Sequence, residues 1–432
     1  MLESDCLGPK DESRVKAGKA GLDKAVVLII DGASGWPAAA LGGKTALEAA
    51  HTPHLDELAR EGSVGMVSHV PEGMEASSAV ACMSVMGFDP RQYYAGRGPI
   101  EAAAMGVELE PGQVALRCNL VTVRDGRMVS YSAGNISSAE SAELVAALQR
   151  ELGDERVAFK AGVGFRHILT VRDGEALALT RFTPAHDLTD RCVEEGLPEG
   201  PGADFVLELM EQSKAVLADH PVNRRRQAQG KLPATQIWLF WPGMKVAGMP
   251  DFAAHHGGRR AALTSPVDLL RGLAVLSGVD VLTIPGVTDG DDNDYAGQMV
   301  GALAALADHD VVFVHVEAPD EAGHRGDAIG KVRAIEEVDR LMLPQVIERA
   351  RSYQREHVTG GDIVAQGLRL LVLPDHPTPL EIKTHVGEPV PFLMWGPGFV
   401  GNGAAAYTEA EARATGLTVA PGHRLLSLFL GL

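Results

Sequence analysis

Cysteine is scarce in this 432-residue chain: Cys6, Cys82, Cys118 and Cys192 are scattered, and no two share a CxxC spacing. That pattern argues against a disulfide framework or a zinc knuckle and fits reduced thiols in a cytosol. Positive charge is short as well. The 39 Lys and Arg against 57 Asp and Glu leave a formal net charge of −18. Nucleic acid and anionic membranes call for a basic surface, so neither is expected as a partner. A recessed site can still cage an anionic substrate with a few Arg side chains and metal ions. Long apolar runs are missing too: none approaches the roughly 18–20 residues of a membrane span. The opening MLESDCLGPKDESRVKAGKAGLDK mixes charge with glycine and lacks the apolar stretch of a secretory signal. Residues 1–23 are expected to be a disordered or loosely packed leader, and the chain a soluble, cytoplasmic protein. A hydrophobic fraction of 45% with 22% charged residues is ordinary for a globular enzyme. The length suits two domains, or one with an insertion.

What the chain does have is three short apolar runs that end on ligand-type side chains. They are AVVLIIDGASG from Ala25, VVFVHVEAPDEAGH from Val311 and LRLLVLPDH from Leu368. Without polar alternation, each reads as a strand buried on both faces of a parallel sheet. Helical patterns surround them: KTALEAAHTPHLDELAREG, AGQMVGALAALADHD and IGKVRAIEEVDRLMLPQVIERARSY. This alternation predicts an α/β fold with a mainly parallel sheet flanked by helices. Between about Ala95 and Thr235 the texture changes. VALRCNLVTVRDGRMVSYS and FRHILTVRDGEALALTRF read as strands joined by RDG turns, with the helices SAESAELVAALQREL and ADFVLELMEQSKAVLADH. An inserted α+β domain over 95–235 is therefore expected, with a discontinuous core from 24–94 and 236–432.

Ligands of open α/β sheets lie beyond the carboxyl ends of the strands. Here those ends carry Asp31, Asp320, His324, Asp375 and His376, with His385 following. Carboxylate oxygen with imidazole nitrogen suits Zn²⁺, Mn²⁺ or a similar divalent ion. Any one Asp-x-x-x-His pair is more often structural, but three such strand ends together point to a metal site. Six ligands suffice for two ions, a recurring device for phosphoryl transfer. A nucleophile is then needed, and PEGMEASSAVACMSVMGFDP offers Ser77 and Ser78 at the start of an apolar helix. Either could simply cap that helix, or attack phosphorus where a helix N-terminus and a metal favour the alkoxide. The residues alone leave both readings open.

Blocks from nearly the whole chain, in order, resemble the archaeal-type cofactor-independent phosphoglycerate mutases of the alkaline phosphatase superfamily. They are DGASGWPAAALGGKTALEAAHTPHLDELAREG, MSVMGFDPRQYYAGRGPIEAAAMGV, HPVNRRRQAQGKLPA, VHVEAPDEAGHRGD and VLPDHPTPLEIKTHVGEPVPFLMWGPG. The resemblance implies an alkaline phosphatase-like core holding two divalent ions and an inserted domain that closes over substrate. It assigns Asp320, His324 and His385 to one ion, and Asp31, Asp375, His376 and a nucleophilic serine to the other. Counting back from the G-[YF]-D-P element, Gly87 to Pro90, that serine is Ser78 rather than Ser77. The implied reaction converts 3-phosphoglycerate to 2-phosphoglycerate through a phosphoserine, without 2,3-bisphosphoglycerate. Mn²⁺, Zn²⁺, Mg²⁺ and Co²⁺ all suit such mixed ligands.

A substrate of this kind, a small phosphorylated acid, calls for cationic partners. The candidates are Arg97, Arg117, Arg166 with His167, His186 with Asp187, and Asn223 with Arg224. Two departures fall near where glycerate chemistry would be tuned. Ala79 follows Ser78 where many members carry an acidic neighbour in a Gly-Ser-Asp-Thr-like element, and SAGNIS puts Asn135 where a basic residue is frequent. The alternatives are a phosphomutase or phosphotransferase acting on another small acid or on homoserine, a phosphatase, or a non-catalytic binding relative.

Overall fold

The structure is a computed structural model that describes residues 24–245, 248–357 and 367–432. The leader expected over 1–23 lies outside the described residues. The strands in chain order are β1 (Lys24–Ile30), β2 (Ser63–Val67), β3 (Val114–Arg124), β4 (Arg127–Ser130), β5 (Val157–Lys160), β6 (Arg166–Val171) and β7 (Gln236–Met244). They continue with β8 (Ala261–Thr264), β9 (Asp280–Val281), β10 (Val311–Val316), β11 (Leu368–Leu373), β12 (Val390–Trp395) and β13 (Thr418–Val419).

The chain forms two compact units, one from Met1–Tyr94 and Met249–Leu432, the other from Ala95–Gly248. The first holds an eight-stranded sheet in the order β13-β2-β12-β11-β1-β10-β8-β9. Its centre is parallel, from β11 through β1 and β10 to β8, and β12 runs antiparallel to both β11 and β2. The three apolar runs are β1, β10 and β11, and every residue in them but Lys24 is buried. One face shows why these strands lack polar alternation. Val26, Leu28, Ile30, Val312, Val314, Leu370 and Val372 pack there with Met299, Ile335 and Val346 from the helices that cover it. Each such side chain contributes about 1.5–3 kcal/mol on burial. The expected single helix over KTALEAAHTPHLDELAREG is instead two, Ala46–Ala49 and Pro53–Glu61. Pro53 disfavours helical backbone at the residue before it, and Thr52 is indeed non-helical, while Pro53 itself sits in the first turn of the new helix.

The second unit pairs β3 with β4, β6 and β7, and β6 with β5, all antiparallel. Two expectations are corrected here. The EALALTRF half of the second RDG segment is not a strand: Glu175–Leu179 forms a 3₁₀ turn. Its would-be partner β6 already has β3 on one side and β5 on the other, so no edge is left for it. The unit also runs past 235 to Gly248, because β7 pairs with β3 from Val114 to Val121. Among the described residues, no helix is long and apolar enough to cross a membrane.

Candidate active site

Parallel register brings the polar residues together. Ile29 lies opposite both His315 and Leu373, and Val314 lies opposite Thr264. Strand side chains repeat every two residues, so Ser265, His315, Asp31 and Asp375 emerge on one face at the carboxyl edge of four neighbouring strands. Asp375 Oδ1 accepts the Gly32 N–H at 3.3 Å, which ties the β1 and β11 ends together. Gly32 is required here: its φ is +60°, and a Cβ would lie 2.5 Å from Asp320 Oδ1. His376 Nε2 sits 3.2 Å from Asp375 Oδ2, 3.7 Å from Asp31 Oδ1 and 3.1 Å from Ser78 Oγ. Ser78 opens the helix Ser78–Val85. The Ser77 hydroxyl instead donates to Glu75 Oε1 at 3.4 Å.

Asp320 and His324 lie four residues apart on the helix Ala318–Arg325 and so share a face. His324 Nε2 is 3.1 Å from Asp320 Oδ2 and 2.9 Å from His385 Nε2. Its Nδ1–H donates to the Lys383 carbonyl at 3.0 Å, which aims Nε2 inward. The His385 ring lies 4.0 Å, centroid to centroid, from that of His376. The seven residues expected at the metal site thus meet in one hollow. Three donor groups have the spacing to hold an ion: Asp320, His376 and His385; Asp31, Asp375 and His376; Asp31, His315 and Glu317.

The hollow concentrates negative charge. Burial and the Asp375, Glu317 and Asp320 carboxylates push Asp31 well above the usual carboxylate range. Burial and Asp320 do the same to Glu317. Burial alone would also raise Asp320, but hydrogen bonds to His324 and His385 hold it well below that range. His324 in turn is raised to about 9 by its bond to Asp320. Asp31 Oδ1 is buried and has no hydrogen-bond partner among the described residues. Buried carboxylates without counter-charge are costly, so this donor set fits divalent cations.

Similarity to known proteins decides the family. The model of the 2,3-bisphosphoglycerate-independent phosphoglycerate mutases matches residues 59–223. A Methanothermobacter thermautotrophicus protein named 2,3-bisphosphoglycerate-independent phosphoglycerate mutase 2 is 43% identical over 94% of this chain and 97% of its own. The chain belongs to the 2,3-bisphosphoglycerate-independent phosphoglycerate mutase family. Two solved structures are similar to this chain over nearly its whole length. The PH0037 protein from Pyrococcus horikoshii has a TM-score of 0.76 at 26% identity, covering 95% of this chain and 97% of that one. The cofactor-independent phosphoglycerate mutase from Thermoplasma acidophilum has a TM-score of 0.63 at 25% identity, covering 95% and 99%.

In this family member the substrate candidates of the second unit divide into groups. Arg97 and Arg117 converge on Glu101, which is buried. Arg117 grips both its oxygens, Nε at 2.5 Å and Nη2 at 2.7 Å, while Arg97 gives only Nε at 2.8 Å. The Arg97 guanidinium also lies 3.7 Å over the Trp241 ring, and the His186 ring is 5.7 Å from that ring. Asp187 is exposed, 3.6 Å from His186. Arg166 stacks on Phe165 at 4.8 Å. His167 is buried, accepts the Gly162 N–H through Nδ1, and is pushed down to about 3 by burial and by Arg117. Asn223 is a bracket: its amide donates to the Leu217 and Ala234 carbonyls and its oxygen accepts from Ala234 N–H. Arg224 is exposed, 3.7 Å from Asp219. Sequence reasoning missed Glu101, Trp241, His315, Glu317 and Thr378, whose hydroxyl donates to Asp320. For His315 a signal existed: an imidazole inside the otherwise apolar VVFVHV.

Proposed function

We propose that this chain interconverts 3-phosphoglycerate and 2-phosphoglycerate, a cytoplasmic step of glycolysis and gluconeogenesis, through a phosphoserine on Ser78. The observation that carries it is Ser78 Oγ, 3.1 Å from His376 Nε2 and at a helix start, in a chain of this family. Asp320, His324 and His385 would hold one divalent ion, and Asp31, Asp375, His376 and Ser78 the other, with Mn²⁺, Zn²⁺, Mg²⁺ and Co²⁺ all suited to the donors. When bound, such ions supply Lewis acidity toward a phosphoryl group and lower the pKa of a neighbouring hydroxyl.

The Ser78 oxygen bonds to phosphorus as the bond to the 3-oxygen of glycerate breaks, and that oxygen takes up the proton Ser78 gives up. The 2-hydroxyl then attacks the phosphoserine, the Oγ–P bond breaks, and the proton the 2-hydroxyl gives up passes to Ser78 Oγ. The backbone N–H groups that open the helix at Ser78 favour the negative charge passing through Oγ. No 2,3-bisphosphoglycerate is consumed, because Ser78 carries the phosphoryl group between the two oxygens. Water must be kept from the phosphoserine, and cationic side chains of the second unit are proposed to meet the substrate carboxylate. Arg97, Arg117, Arg166, His167, His186, Asp187, Asn223 and Arg224 are the candidates for that task, with Arg97, Arg166 and His186 foremost.

The test is coupled turnover of 3-phosphoglycerate with and without divalent metal and 2,3-bisphosphoglycerate, on wild type, Ser78→Ala and Ser77→Ala. Metal-dependent, bisphosphoglycerate-independent activity that only Ser78→Ala abolishes is expected. No isomerase activity with any divalent ion would sink the proposal. A second reading is motivated by Ala79 and Asn135: a phosphotransferase or phosphatase acting on another small acid. Release of inorganic phosphate in place of isomerisation would favour it.

A further inference from the structure

Of the three donor groups in the hollow, Asp31, His315 and Glu317 have no place in the two-ion reading as a set. Their spacing would allow a third ion, and the hydrogen bonds argue for a different role. Ser265 Oγ lies 3.0 Å from His315 Nδ1 and also accepts the Val267 N–H at 3.0 Å. With that lone pair engaged, the hydroxyl is free to donate its own hydrogen, and the imidazole Nδ1 accepts it. A neutral imidazole accepting at Nδ1 carries its hydrogen on Nε2. That Nε2–H points at Asp31 Oδ2, 2.7 Å away. Glu317 Oε2, 3.4 Å from the same nitrogen, is a more distant neighbour. In that tautomer the His315 ring has no lone pair left for a metal.

The consequence falls on Asp31. Its Oδ2 is occupied by His315, and its Oδ1, fully buried and without a hydrogen-bond partner among the described residues, is left facing His376 Nε2 at 3.7 Å. The relay is rigid at both ends. Ser265 follows β8, His315 lies in β10, and Asp31 follows β1, three strands paired in parallel. The His315 carbonyl is pinned as well, by Gln298 at 2.9 Å. We infer that Ser265 and His315 are positioning residues that orient the Asp31 carboxylate toward the ion shared with Asp375 and His376, and that neither is a ligand of a third ion. The inference rests on the two-ion reading proposed above.

Calorimetric titration of the metal-stripped full chain with Mn²⁺ tests both readings and separates them. Wild type is expected to bind two ions per chain. His315→Leu removes the donor and should weaken one of the two sites about 10- to 100-fold, the usual cost of losing an outer hydrogen-bond partner. His315→Gln keeps an N–H donor near the Nε2 position without an imidazole and should restore affinity to within about tenfold of wild type. Ser265→Ala frees the tautomer and should weaken the same site by less than His315→Leu. If His315→Leu does not fold, judged by circular dichroism, Ser265→Ala and His315→Gln decide. Unchanged affinity at both sites in His315→Leu, or in Ser265→Ala where His315→Leu does not fold, overturns the positioning role and leaves the two-ion reading intact. So does a third ion in wild type that both His315 variants lose. No binding by wild type overturns both.

Discussion

Removing Arg117 would leave Glu101 buried with one cationic partner in place of two. Arg117 is itself only 10% exposed and makes the two-point contact, so its loss strands charge where water cannot reach. Arg117→Ala should cost about 3 kcal/mol, read as a shift in the urea midpoint. Arg97 is 32% exposed and holds Glu101 by one nitrogen, so Arg97→Ala should cost about 1 kcal/mol or less and act mainly by raising KM for 3-phosphoglycerate. The same carboxylate fixes a pH dependence. Burial alone would raise the Glu101 pKa, and Arg117 and Arg97 more than reverse it. A depressed folded pKa stabilises above the unfolded value of about 4.3 and is lost as pH falls through the folded value. Urea midpoints of wild type should therefore drop as pH is lowered below about 4, with part of that drop missing in Arg117→Ala. At this scale the gathering of Asp and His side chains was legible because such residues standing at the ends of apolar runs have few other reasons to be there. The pairing of Arg117 with Glu101 was not, since that partner lies sixteen residues before it, in a different kind of element.

The element that carries Arg97 is pressed between strands. A Cβ on Gly98, in the first turn of the helix Arg97–Ala104, would lie 2.2 Å from the Ala115 carbonyl oxygen of β3 and 2.8 Å from that of Trp241 on β7. Both obstacles are backbone, so neither can swing aside. Gly98→Ala should push this helix off the sheet, destabilise the second unit by about 1–3 kcal/mol, and raise KM because Arg97 moves with it. A variant with wild-type stability and KM would show that the helix start has slack. The helix itself was not foreseen, although the AGRGP stretch that opens it was visible. The strands β1, β10 and β11 were readable because nothing but burial on both faces explains such runs. The segment EALALTRF was misread because its fate was decided by β5, which occupies the edge it would have used. Strand pairing is non-local, and periodicity within one segment does not contain it.

Across the whole molecule, the two units bury separate clusters, one around β1, β10 and β11, the other around β3, β6 and β7. The changed texture after Ala95 gave away the start of the second unit, but its end was missed because β7 looks like any other apolar run until its pairing with β3 is known. Separate cores predict separate responses to metal removal. Asp31, Glu317, Asp320 and Asp375 all lie in the first unit, and ions bound among them stabilise only the folded form of that unit. Free ion at about 100 times its dissociation constant adds roughly 2.7 kcal/mol per site, and the carboxylates repel one another once the ions are gone. Differential scanning calorimetry should then resolve two transitions with metal, of which chelation lowers one and leaves the other in place. Tryptophan emission can assign them, since Ser78→Ala leaves all four tryptophans intact while Trp36→Phe with Trp395→Phe leaves Trp238 and Trp241 as the only reporters. In that double variant the fluorescence transition should not move on chelation. A shift equal to the calorimetric one would mean that the second unit feels the ions, and that the two cores unfold together.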